Sequence, residues 1–223
     1  MLIADPDAPP TDSRDDFIHG IIEGRGGTCA SLPVLYVALG RRLGYPLKLV
    51  AAARHLFARW DDPGGERFNI EISNPGGLDT HSDDHYLDWP VPIRGTEWQE
   101  VFHFRSLTPR EELACAWAKR GFCLRANGLP REAVKAFGVA WSLTPDNVLS
   151  ECAMQVAMKE WKAAFPAWIE RRRRLDIVWP PRVYPGLPLE LEQDIIELDV
   201  IEGLLKSDPS APRGTVVVHS STF

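Results

Sequence analysis

The chain lacks any long apolar run: nothing in its 223 residues approaches the roughly eighteen consecutive apolar residues of a membrane span. It also lacks a basic-then-apolar leader. The opening MLIADPDAPPTDSRDD is acidic and proline-rich, which excludes a secretory signal pattern and makes the cytoplasm the expected location. Positive charge is in deficit, 25 Lys and Arg against 31 Asp and Glu for a net charge of −6. That balance excludes a general nucleic-acid surface, and neither nucleic acid nor membrane is expected as a partner. The one basic run, Arg171 to Arg174 between Glu170 and Asp176, reads as the wet face of a helix.

Cysteine is sparse as well. The four residues at 29, 115, 123 and 152 show no CxxC spacing, so no zinc pair and no disulfide framework follows from them. Three sit in alanine-rich helical sequence as small buried hydrophobes; Cys29 does not. GRGGT at 24–28 runs into Cys29 without a phosphate-reaching lysine, which excludes a phosphate-binding loop, and no dinucleotide fingerprint occurs. No cofactor and no metal are therefore expected. His81, Asp83, Asp84 and His85 cluster in sequence, but His81 precedes the candidate N-cap Ser82, and the group reads as a surface loop.

What is present divides in two. Residues 1–16 read as a disordered lead, and FIHGII (17–22) as a short helix or strand ending in a glycine turn. A helix is predicted over about 30–43, where Leu32, Leu35, Ala38, Leu39 and Leu43 recur at helical spacing and Gly44 with Pro46 ends it. Val34 and Val37 widen its apolar surface, so it is predicted to be the central helix, with little facing water. Three extended segments follow, 47–53, 55–60 and 67–73. In the last, Phe68, Ile70 and Ile72 alternate with Asn69 and Glu71. DDPGGE (61–66) makes an antiparallel hairpin of the last two. Ser82 is placed to cap a short helix over 83–89. Trp89, Trp98, Phe102 and Phe104 read as core or groove wall. From Thr108 strand-like sequence disappears, placing a boundary near residue 107; Thr108, Pro109 and Glu111 form an N-terminal helix signature. Residues 206–223 read as a flexible tail. The fold class is α+β: a core over 17–107 in which the helix behind Cys29 packs on a small antiparallel sheet, then a helical region over 108–205.

Chemistry concentrates at Cys29. A thiol just before an apolar helix faces its unpaired N–H groups and positive end, which stabilise a thiolate and can receive an oxyanion. His55, at the start of the second strand, can take the thiol proton and return it to a leaving group. His19 is a further candidate beside the oxyanion position. The third strand brings back Asn69 and Glu71, either of which could hold the second imidazole nitrogen. A hairpin centred near Asp62 sets Asn69 opposite His55, and one centred near Pro63 sets Glu71 there; the reading leans to Asn69.

The segments GTCASLPVLYVALGRRLGYPLKLV (27–50), HLFARWDD (55–62) and ERFNIEISNPGG (66–77) resemble the transglutaminase-like superfamily, with its papain-like arrangement, and more closely its bacterial members that carry tetratricopeptide repeats. The resemblance implies a cysteine, histidine and acidic or amide set in this chain order: Cys29, His55, and Asn69 or Glu71. The family's usual aspartate, often in an Asp-Pro run, is absent from Asn69-Ile70-Glu71-Ile72-Ser73. The implied activity is acyl transfer or hydrolysis at an amide or peptide bond through a Cys29 thioester, on a protein or peptide substrate. The alternative is a non-catalytic interaction scaffold. Trp117, Gly121, Leu124, Ala133, Phe137, Ala140 and Pro145 stand at tetratricopeptide positions in one window, about 114–147. A second unit from Val148 fits poorly, with Gln155, Ala167 and Arg171 at its signature positions. Such helices brace the core, or receive a protein partner.

Overall fold

Two turns of different size set the sheet. In the computed structural model, which describes residues 12–74, 76–90, 92 and 104–163, β1 (Leu47–Ala52), β2 (His55–Asp61) and β3 (Arg67–Ile70) form a three-stranded antiparallel sheet in that order. Ala53 and Arg54 alone join β1 to β2, since Ala52 pairs with His55. The second turn is wider and centres on Gly64, because Arg59 pairs with Asn69 and Trp60 with Phe68. Its cause is local: the Asp62 carboxylate accepts the Gly64 N–H at 2.8 Å, while the Asp62 backbone bonds to Glu66 and Gly65. Both predicted centres, Asp62 and Pro63, are thereby displaced.

The pleat separates two cores. Leu47, Leu49, Leu56, Ala58 and Ile70 pack with Val37 on one face. Val50, Ala52 and Phe57 pack with Tyr86 and Phe104 on the other, and that second face also carries His55, Arg59, Asn69 and Glu71, the alternate residues of the same strands.

Helix α3 (Leu32–Arg42) lies on the first face, after the short α1 (Ser13–Asp16) and α2 (Ile18–Ile22). Its buried stripe is only Pro33, Val37 and Gly40. A Cβ on Gly40 would stand 2.2 Å from Leu47 Cδ1, so glycine lets this helix sit close on β1. The prediction of a central, enclosed helix is corrected here: Leu39 is 53% and Leu43 72% exposed. A helix covering one face of a single sheet has a stripe to bury and an outer side to leave wet.

Residues 13–16, read as disordered, form a turn capped by the Asp12 carboxylate on the Arg14 N–H; residues 1–11 lie outside the described residues. The short helix near residue 85 is α4 (His85–Asp88), starting two residues later than expected, preceded by Asp84 and not capped by a side chain. Helix α5 (Pro109–Ala126) starts with the expected capping box of Thr108 and Glu111. It pairs with α6 (Pro130–Leu143), where Ala133, Phe137 and Ala140 are fully buried. A Cβ on Gly121 would lie 2.6 Å from the Phe137 ring, which is why the two helices need glycine there. Helix α7 (Val148–Ala163) follows.

The chain divides into two compact units, residues 1–157 and 158–223. Of the second, only 158–163 are described. The boundary predicted near residue 107 lies inside the first unit, where Arg41 of α3 makes a two-pronged ion pair with Glu112 of α5 at 2.7 and 2.6 Å. Among the described residues no helix is long and apolar enough to cross a membrane. Trp98, Phe102, the Arg171–Arg174 run, most of the second helical repeat and the tail fall outside the described residues.

Candidate active site

Cys29 sits inside a tied turn at the head of α3. The Thr28 carbonyl accepts from the Ser31 and Leu32 N–H groups at 3.1 and 2.9 Å. The Thr28 hydroxyl accepts from the Ala30 N–H at 3.2 Å, and the Ser31 hydroxyl accepts from the Thr28 N–H at 3.0 Å. These reciprocal bonds close a turn over residues 28–31 immediately ahead of α3, whose N-cap is Ser31, so Cys29 stands in the turn that leads into the helix. The Thr28 hydroxyl also donates to the Asp15 carbonyl at 2.9 Å, pinning the turn to α1. Cys29 is half-buried, and its own N–H engages no acceptor among the described residues, leaving a donor beside the sulfur.

The two-residue turn between β1 and β2 brings up the histidine. Arg54 takes a left-handed conformation, φ 57°, which costs a non-glycine residue about 1 kcal/mol or more. Its carbonyl lies 4.0 Å from the Cys29 sulfur. His55, next in sequence, is 2% exposed, and its Nε2 stands 2.7 Å from Glu71 Oε2. With Nε2 committed, Nδ1 is the nitrogen left to exchange a proton with the thiol. Burial alone would lower the histidine pKa, but its interactions with Cys29 and Glu71 outweigh burial and hold it at about 9.

Glu71 reaches His55 diagonally. The Gly64-centred register sets residue 71 across from Phe57, not His55, and β3 ends at Ile70. The Glu71 backbone is held instead by a bridge to Asp79. The extra methylene of glutamate spans the diagonal that an aspartate would leave open. Its carboxylate is saturated: Oε1 accepts from the Ile72 N–H (3.0 Å), Ser73 N–H (2.9 Å) and Ser73 hydroxyl (2.6 Å). Oε2 takes the Tyr86 hydroxyl at 3.3 Å besides the imidazole. Burial opposes ionisation, yet the bonds from His55 and Ser73 prevail and lower its pKa to about 2. The Trp89 ring stands edge-on to His55 at 4.7 Å, and Tyr86 stacks on it at 5.9 Å.

Asn69 does not meet His55, and the lean toward it is corrected. It lies directly opposite Arg59, whose Nε donates to Asn69 Oδ1 at 2.7 Å. Asn69 Nδ2 in turn donates to the His81 carbonyl and Asp83 Oδ1 at 2.9 and 2.8 Å. Arg59 completes its set on the Phe104 carbonyl and the Asp83 carboxylate. His81 and His85 stack at 3.9 Å, with His81 Nε2 3.3 Å from Asp79; burial and His81 keep His85 below its ordinary pKa. His19 is exposed, with its ring against Ser13 and Phe17.

Sequence reasoning missed Ser73, Tyr86 and the Arg59–Asp83 clamp. Only Ser73, two residues beyond a glutamate on a strand end, carried a local signal.

Residues 7–88 match the family model of the transglutaminase-like superfamily. The matched segment contains Cys29, His55 and Glu71, and it ends at α4, before α5 begins. Its mixture of helices and a small antiparallel sheet agrees with an α+β core of that kind. Comparison with curated proteins gave no match, and comparison with solved structures gave none.

Proposed function

We propose that the chain is a cysteine enzyme of the transglutaminase-like type, transferring or hydrolysing the acyl group of an amide. The observation carrying this reading is the bond between His55 Nε2 and Glu71 Oε2 at 2.7 Å, which aligns a buried imidazole beside a half-buried thiol at a helix head. In the first step the Cys29 thiolate adds to the carbonyl carbon, and the oxyanion meets the N–H donors of the α3 turn. The C–N bond then breaks, the imidazolium gives its proton to the leaving amine, and a thioester remains on Cys29. Water or an amine next adds to the thioester, His55 takes its proton, and the C–S bond breaks to restore the thiolate. Glu71 stays ionised and holds the imidazolium in place. In the helical region we read α5 and α6 as one tetratricopeptide-like pair that braces the core through Glu112; the Gly121–Phe137 approach supports that reading.

The test is labelling of Cys29 by iodoacetamide across pH in the parent and in His55→Ala. Removing the imidazole that takes the thiol proton slows labelling at pH 6 by about 100-fold in His55→Ala. Equal labelling rates in both proteins at every pH would leave a non-catalytic scaffold.

A further inference from the structure

Between α3, the β1–β2 hairpin, α5 and the α1–α2 segment lies a cavity of about 330 Å³ that the chemistry above does not use. Val34, Val37, Leu49, Leu56 and Phe122 form much of its wall. One end is formed by Ala30 and His55, the residue after the candidate nucleophile and the imidazole that serves it. The cavity therefore adjoins the site on its helix-head side, through Ala30 and His55.

Its charges are already matched. Arg41 is held by both oxygens of Glu112 and by the Leu47 carbonyl at 2.7 Å. Lys119 Nζ lies 2.8 Å from Asp16 Oδ1. The Ser31 hydroxyl is used by the Thr28 N–H and the Asp15 carbonyl, and burial pushes the Cys115 thiol up, keeping it neutral. No unpaired charge in this wall is left for an ionic ligand, and bringing one in would strand it without a partner. Ala38 and Ala116, both exposed, mark the open side. An apolar cavity of about 150 Å³ accepts benzene, so this one has room for roughly twice that volume.

We infer that this cavity receives the uncharged apolar portion, an aliphatic chain or an aromatic ring, of an amide substrate whose carbonyl is presented to Cys29. The inference deepens the proposed function and rests on it for the link to Cys29: the substrate class becomes amides with a hydrophobic acyl group.

Two measurements on the full chain test it. The first is fluorescence titration of Cys29→Ala with N-phenyl-1-naphthylamine, an uncharged dye that brightens on leaving water. The dye binds, and Ala38→Trp or Ala116→Trp, placed at the open side where the fold tolerates bulk, weakens binding by about tenfold or more. The second compares Cys29 labelling by N-octyl iodoacetamide and by iodoacetamide itself. The octyl reagent is at least about tenfold faster in the parent, and Ala116→Trp returns the ratio to near one. Absence of dye binding, binding indifferent to both tryptophans, or a labelling ratio near one in the parent overturns the inference. The chemistry fails separately: a thiol indifferent to His55→Ala, with dye binding still lost in the tryptophan variants, leaves the apolar site and removes only its substrate role.

Discussion

One face of the β2–β3 hairpin carries two buried polar clusters side by side, and they are built to different ends. Around Arg59, donors meet acceptors on three sides: Asn69, Asp83 and the Phe104 carbonyl. That cluster is closed, and it clamps the segments at 81–83 and 104 over the sheet. Around Glu71 the carboxylate is equally saturated, but its partner His55 has one nitrogen directed away from it, toward a half-buried thiol. Burial and charge are thus shared by both clusters. Only the second keeps a proton that can leave, and this separates a site from a clamp.

Breaking the clamp has the largest expected effect on stability. Arg59→Met leaves Asn69 Oδ1 without its donor and Asp83 without its guanidinium, with the Asn69 amide still on it, and lowers the unfolding free energy by about 3 kcal/mol, at the low end for a buried pair because Asp83 is partly exposed. Urea denaturation measures this, and the midpoint of the His55 titration stays in place. A loss below about 1 kcal/mol would mean that the clamp is no more than a surface pair.

Removing the charge from the other cluster shifts protons before it shifts stability. In Glu71→Gln, burial opposes the charged imidazole with only Cys29 to offset it, so the His55 midpoint falls from about 9 by about two units. The ring proton resonances of His55 report it. Linkage fixes the sign in the parent. The raised histidine contributes stability that is fully present below 6.5 and lost as pH rises through about 9. The lowered glutamate contributes stability present above 4.5 and lost as pH falls through about 2. The pair therefore supports the fold most between 4.5 and 6.5, and the variant loses both slopes. An identical stability profile in parent and variant would contradict the coupling.

Tyr86→Phe is the smallest change. It deletes one long bond to a carboxylate that has four others, and it costs about 1 kcal/mol or less. Labelling of Cys29 slows by less than about threefold. A loss as deep as that of Glu71→Gln would move Tyr86 into the reactive set.

Much of this contrast was legible as positions and little of it as pairings. The α5 cap, the β2–β3 hairpin and the shared face of Asn69 and Glu71 follow from local signals: a capping box, a Pro-Gly-Gly turn and strand alternation. The choice between Asn69 and Glu71 does not. Both lie on one face, and the register that separates them hangs on which residue of Asp61–Gly65 closes the turn. That is decided by the Asp62 carboxylate accepting the Gly64 N–H, a bond that composition does not announce. Arg59 drew no attention because a long cation on a strand ordinarily reaches solvent, whereas here three acceptors from distant segments enclose it. The outer side of α3 was misread because its apolar residues run nearly all round, and sequence does not state how many layers will cover a helix.

The ion pair of Arg41 with Glu112 joins residues 71 positions apart. A nascent chain that has produced both sheet hairpins still lacks the acceptor for a guanidinium lying against β1. The segment that carries Cys29, His55 and Glu71 therefore matures late, after α5 has been synthesised, although its strands pair over short loops. A chain cut after Leu107 would keep every described strand and still lose both acceptor oxygens for Arg41, together with the α5 wall behind the site. Such long-range closure slows folding relative to the local hairpins, and it leaves the α3 face exposed to non-native contacts in the interval.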